Sequence, residues 1–208
     1  QAGMLFQSML HSEGGNDPYV NQMVMQIDGV LNVDSLHEAW QMVMDESSIL
    51  RTGFITEGTD EPLQYVIKSS SIDNNKLDIP WRSIDWSQES NHEDCLTSFL
   101  KEDHSIGLVL QRAPLMRVTV SKLSENEHYM ILTAHHTLLD GWSMPILYGH
   151  LLDAYEKIES QEAVVCGGDW SLPQLRPYRD YIDWLHRQDK DAEMSYWRKE
   201  LSGVEPCH

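Results

Sequence analysis

The apolar positions of the chain follow two periods. In "NVDSLHEAWQMVMDES", Leu36, Ala39, Trp40, Val43 and Met44 recur at i, i+3, i+4, i+7 and i+8. That is the stripe of an amphipathic helix, and Asn32 or Asp34 can cap its start. "QAGMLFQSML" sets Met4, Leu5, Met9 and Leu10 near the same spacing, and "SNHEDCLTSFLKEDHS" reads as a further amphipathic helix. Leu147, Leu151, Ala154, Tyr155 and Ile158 line another, with Ser143 as its expected N-cap and Pro145 in its first turn, where the missing N–H does no harm. "YRDYIDWLHRQDKDAEMSYWRKELSG" predicts a long terminal helical segment, stopped by Gly203 and Pro206.

Strand patterns lie between these helices. "DPYVNQMVMQIDG" is an apolar-rich strand closed by an Asp-Gly turn signal. "ILRTGFITE" and "PLQYVIKS" pair across a turn at residues 58–60. "DIPWRSIDWS" is an edge segment, because Pro80 has no N–H for a central ladder. "PLMRVTVSKL" and "HYMILTAHH" form a hairpin around the polar "SENE". The second of these strands is almost continuously apolar from Tyr129 to Ala134, as in a strand buried on both faces. The element order predicts an α/β two-layer sandwich, a mixed sheet with helices packed on it. "SQEAVVCGGDWSLPQLRP" is the most linker-like stretch. The expected division is therefore a lobe over residues 1–165, then a linker and helix over residues 166–208.

Composition narrows the function classes. The 208 residues are 41% hydrophobic with seven Trp, enough to build a core. Fifteen basic against 33 acidic residues give a formal charge of −18, which excludes nucleic acid or an anionic membrane surface as a partner of the general field. Cys95, Cys166 and Cys207 form no CxxC pair and read as reduced thiols, so a cytoplasmic location is expected. No apolar run is long enough to span a bilayer. The absence of an initiator Met leads us to expect a piece of a longer chain. Neither GxGxxG nor GxxxxGK[ST] occurs, so the loops that cradle phosphates are missing.

The chemistry concentrates in "TAHHTLLDGWS", residues 133–143. Successive strand residues point to opposite faces, so His135 and His136 do not share a cavity if the strand runs through both. No third ligand stands at metal spacing, and no GxSxG elbow is present. Two readings remain open on the residues alone. In one, both histidines and Asp140 form a hydrogen-bonded corner where strand turns into helix. In the other, a histidine at a strand end takes a proton or hydrogen bond from an attacking nucleophile, and Gly141 lets a substrate approach closely. Acyl transfer fits the second reading.

"HHTLLDGWS" resembles the HHxxxDGxS signature of condensation domains of nonribosomal peptide synthetases, a branch of the chloramphenicol-acetyltransferase-like superfamily. Three further stretches are similar in the same order: "QAGMLFQSML" to the opening Q-x-GMLFHSL motif, "SILRTGF" to LRTxF, and "YRDYIDW" to YxDYxxW. Glu46 and Ser47 depart from the usual Arg-His before LRT, and Gln7 stands where His is common. "LLDGWS" is similar to the subtype that joins an L-configured donor to an L-configured acceptor, and Trp142 after Asp-Gly departs from the Val usual in epimerization domains. The resemblance implies peptide-bond formation between a donor acyl or peptidyl thioester and an acceptor aminoacyl thioester. Both are delivered on phosphopantetheine arms of carrier proteins, with no tightly bound cofactor and no metal. It implies that His136 acts at the reaction, that His135 and Asp140 are mainly structural, and that Asp140 pairs with Arg51. It places Gly141 near the thioester carbonyl, with Trp142 and Ser143 supporting the corner. The expected partners are donor and acceptor carrier proteins, the second condensation lobe and an adjacent adenylation domain. The chain is expected to be the N-terminal half of such a domain, inactive by itself. The alternatives are a noncatalytic carrier-docking half and a coenzyme A-dependent acetyltransferase.

Overall fold

The computed structural model describes residues 2–11, 17–59, 62–68, 77–160 and 178–204. The expected linker, Cys166 and Cys207 lie outside the described residues. The chain forms two units, residues 1–175 and 176–208. The first contains α1 (Ala2–His11), β1 (Val20–Asp28), α2 (Val33–Glu46), a 3-10 turn (Ser48–Arg51), β2 (Thr52–Ile55), β3 (Leu63–Val66), β4 (Trp81–Asp85), α3 (His92–Ile106), β5 (Met116–Ser124), β6 (Glu127–His135) and α4 (Ser143–Glu159). The second contains α5 (Tyr178–His186) and α6 (Lys190–Glu200).

The main sheet has the order β1-β6-β5-β4. β6 runs antiparallel to both of its neighbours, and β4 runs parallel to β5. A parallel pair needs a long crossover, which α3 supplies. The sheet is therefore mixed, with helices packed on it, as the pattern predicts. β4 is an edge strand directly after Pro80, where the missing N–H is tolerated. β2 and β3 pair separately as the expected hairpin.

Alternation along β6 builds two cores. Met130, Leu132 and Ala134 pack with Met116, Val118 and Val120 of β5 beneath α2 and α4. Ile131 packs instead with Leu123, Trp86 and Phe99 of α3. Helices thus cover both faces, which explains why β6 reads as a continuous apolar run. Trp40 anchors α2, fully buried with its Nε1–H directed at Met130 Sδ, 3.4 Å away. Truncating such a side chain typically costs about 3–5 kcal/mol. Asn32 caps α2 by accepting from Ser35 N–H, and Asn91 caps α3 by accepting from Glu93 and Asp94 N–H.

The terminal segment is two helices rather than one. α5 ends at His186, and Asp189 accepts from Asp191 and Ala192 N–H to cap a new start for α6. A side chain that satisfies orphan donors favours a fresh N-terminus over continuation.

Candidate active site

β6 ends at His135, and the chain turns through residues 136–142 into α4. Thr133 donates to Asp103 of α3 at 2.7 Å, so the odd positions of β6 look toward α3, and His135 continues that row. His135 is completely buried. Its Nδ1 accepts the Thr137 backbone N–H at 3.2 Å and lies 2.7 Å from the Thr137 hydroxyl. A backbone N–H only donates, so Nδ1 carries no proton and the ring proton sits on Nε2. Nε2 faces Asp17 Oδ2 at 3.2 Å and Ser8 Oγ at 3.1 Å. Burial pushes the imidazole below its usual pKa, and Asp17 offsets only part of that. His135 is therefore a neutral ring with both nitrogens engaged, and it has no lone pair to offer a substrate.

His136 stands one residue past the strand. Its backbone N–H donates to Tyr19 O at 2.8 Å, beyond the start of β1. The ring is half-buried, and Nδ1 lies 2.6 Å from the Leu139 carbonyl. A carbonyl only accepts, so Nδ1 bears the proton. In the neutral ring this leaves the lone pair on Nε2, which no described residue occupies. Two adjacent histidines thus hold opposite tautomers, each set by the backbone of the same short turn.

Asp140 is exposed and accepts both the Ser143 N–H at 2.8 Å and the Ser143 hydroxyl at 2.6 Å. These two bonds hold its carboxyl below the usual carboxylate range. The expected cap assignment is corrected here: Asp140 supplies the capping oxygen, and Ser143 is the first helical residue that donates to it. Gly141 is exposed, and a β-carbon there would meet nothing within 4 Å. Trp142, 87% exposed, precedes α4 with helical backbone angles.

The expected Asp140–Arg51 pair is also corrected. Arg51 is buried at the end of the 3-10 turn, donating from Nε to Met44 O at 3.1 Å and from Nη1 to Ile67 O. Burial lowers its pKa, while Asp45 and Glu46 pull it back. The guanidinium spends its donors on carbonyls in the last turn of α2 and just after β3, while Asp140 stays in solvent at the head of α4.

Sequence reasoning did not bring Ser8 and Asp17 to the corner. They lie 127 and 118 residues from His135, and no local period links them. It also missed Asp103, 4% exposed, which accepts from Arg117 Nε at 2.6 Å, Thr133 Oγ1 at 2.7 Å and Gln22 Nε2 at 2.7 Å. Burial pushes this carboxyl up, but the three donors outweigh it and hold its pKa below the usual range. The row Arg117, Thr119, Ser121, polar at alternate positions between the apolar Met116, Val118 and Val120, was the available signal. Among the described residues, no group of three His, Cys, Asp or Glu is placed to hold a metal ion, and no helix is long and apolar enough to cross a membrane.

A family model described as Condensation domain matches residues 1–208. The chain is 43% identical over 209 residues to one of the linear gramicidin synthase proteins of Brevibacillus parabrevis, covering 99% of this chain and 2% of that protein. It is 32% identical over 205 residues to surfactin synthase subunit 3 of Bacillus subtilis (strain 168), covering 99% and 15%. Among solved structures, the first condensation domain of the calcium-dependent antibiotic synthetase in complex with a substrate analogue superposes with a TM-score of 0.77 at 19% identity. That match covers 99% of this chain and 48% of that one, so the chain spans about half the length of the solved domain and a small fraction of the synthetases. The likeness in structure establishes a shared fold, the chloramphenicol-acetyltransferase-like one.

Proposed function

The chain belongs to the Condensation domain family, and from that premise we propose that it carries the reaction corner of a site that forms a peptide bond between two carrier-bound substrates. In this reading the amine of an aminoacyl thioester attacks the carbonyl of a donor acyl or peptidyl thioester. The C–N bond forms, the C–S bond breaks, and the amine proton is passed on so that the donor's carrier leaves as a thiol. The observation that carries the reading is the His136 tautomer: Nδ1–H is held by the Leu139 carbonyl, so Nε2 is the acceptor available to the amine. An amine next to a thioester is only weakly basic, so holding it in line with the carbonyl contributes alongside proton removal.

The other residues divide by their surroundings. His135, fully engaged, holds the corner. Asp140 fixes the head of α4 through Ser143. Gly141 leaves room beside the ring for the thioester carbonyl. Arg51 ties the LRT segment to the end of α2 and supports the corner only at a distance. Trp142, exposed beside the corner, suits a contact with carrier or substrate. Residues 1–165 form the lobe in this proposal and residues 166–208 lead onward. A second condensation lobe supplies the opposing wall in this reading, so the 208 residues alone are inactive. The substrates arrive on phosphopantetheine arms of donor and acceptor carrier proteins, an adenylation domain adjoins, and the setting is cytoplasmic.

The test offers the full-length protein two loaded carrier proteins, or acyl-coenzyme A with a free amine, and follows product by mass spectrometry. Product from the carriers alone supports the reading. Product from acyl-coenzyme A at an equal or higher rate replaces it with a coenzyme A-dependent acetyltransferase. Carrier binding without product in any form leaves a docking half.

A further inference from the structure

Helix α1 reaches the corner through one buried cluster. Ser8 is completely buried and donates to Asp17 Oδ1 at 3.1 Å, while its oxygen lies 3.1 Å from His135 Nε2. Asp17 Oδ1 also accepts the Tyr19 N–H at 2.9 Å, and Oδ2 faces His135 Nε2 at 3.2 Å. Both carboxylate oxygens are therefore committed as acceptors. The Tyr19 carbonyl then takes the His136 N–H.

These contacts form a relay of proton placement. A carboxylate against Nε2 requires the proton there, which leaves Nδ1 as the lone pair. That lone pair receives the Thr137 N–H and so pins the turn after β6. Leu138 N–H closes the same turn on the His135 carbonyl at 3.0 Å. The pinned turn presents the Leu139 carbonyl, which holds the proton of His136 on Nδ1. We infer that Ser8 and Asp17 are positioning residues for His136. They fix the proton on His135 Nε2 and, through residues 137–139, the direction of His136 Nε2. This rests on His136 being the residue at the reaction, as proposed above.

Asp17→Asn isolates the effect, because it changes no volume. Whichever way the amide turns, its NH2 group meets a donor: His135 Nε2–H on one side, the Tyr19 N–H on the other. If the imidazole yields by moving its proton to Nδ1, that proton meets the Thr137 N–H. The relay breaks while the packing survives.

The experiment uses the full-length protein with both carriers loaded, as wild type, Asp17→Asn, Ser8→Ala and His136→Ala. Three quantities are read: kcat, KM for the acceptor carrier, and amide hydrogen exchange of residues 136–140. Asp17→Asn is expected to lower kcat about 10- to 100-fold with KM within about twofold, since displacing a positioned group acts on orientation and not on carrier binding. Exchange at residues 137–139 should quicken while β5 and β6 keep their protection. Ser8→Ala should act in the same direction and less strongly, and it decides the matter if the Asn variant does not fold. Wild-type kcat in both variants, with or without lower stability, overturns the inference, and an inactive His136→Ala then leaves the proposed function standing. Wild-type kcat in His136→Ala removes His136 from the reaction, and the inference falls with it.

Discussion

Asp140 accepts the backbone N–H and the hydroxyl of Ser143, at 2.8 and 2.6 Å, and so closes the first turn of α4. Arg51 meanwhile donates to the Met44 and Ile67 carbonyls. The two charges do separate work, and a double-mutant cycle measures that. Asp140→Ala should cost about 1 kcal/mol, the usual value of a lost cap. Arg51→Ala should cost about 2–4 kcal/mol, because it strands buried carbonyls. In urea unfolding the two costs should add within about 0.5 kcal/mol. A coupling well above about 1 kcal/mol would restore the direct pair.

Gly53 and Tyr65 face each other across β2 and β3. A β-carbon on Gly53 would lie 2.5 Å from the Tyr65 hydroxyl oxygen and 2.7 Å from Cε1. That hydroxyl also donates to Gln111 O at 3.0 Å and accepts the Ala113 N–H at 3.2 Å, so the ring is held and cannot simply swing aside. Gly53→Ala should therefore destabilise by about 1–3 kcal/mol, as overpacking does. In a Tyr65→Ala background the same change should cost less than about 0.5 kcal/mol. Thermal unfolding of the four proteins reads this; an unchanged cost without the ring would refute the clash.

Two buried histidines set a pH dependence. His135 and His128 both have folded pKa values depressed, chiefly by burial. In the unfolded chain they titrate near about 6.5. Below that pH the unfolded state binds more protons, so stability falls as pH drops and is retained above it. Asp103, also depressed, loses its contribution only below about pH 4, so the two windows separate. The denaturation midpoint should be lower at about pH 5.5 than at about pH 7.5, on either side of the unfolded value. His128→Leu should shrink the difference, which cancels changes in overall charge repulsion common to both proteins. An equal pH difference in wild type and variant would rule out His128 as a source.

The sheet and its helices were legible because their signals are local. The stripe of α2, the continuous apolar run of β6 and the Asn32 cap each lie within one segment, where period and capping chemistry suffice. Strand parity put His135 in the row of Thr133 for the same reason, but the strand ends there, and the turn rather than parity sets the direction of His136. The reach of Ser8 and Asp17 to His135 was not, because contacts across more than a hundred residues leave no trace in a period. The resemblance carried the Arg51–Asp140 pair, but Asp140 found nearer donors in Ser143, and Arg51 found nearer acceptors in two carbonyls. The break between α5 and α6 was missed because the aromatic- and charge-rich composition runs through it, while α5 ends at His186 and Asp189 caps the next helix.

The central claim is that His136 Nε2 meets the attacking amine, and His136→Ala in the full-length protein with both carriers loaded tests it most directly. The single-turnover rate of peptide-bond formation should fall about 100-fold or more, the scale of a lost positioned base, with carrier loading and thermal unfolding unchanged. A rate within about threefold of wild type in a folded, loaded protein would contradict it, since a lost positioned base is worth at least about a hundredfold.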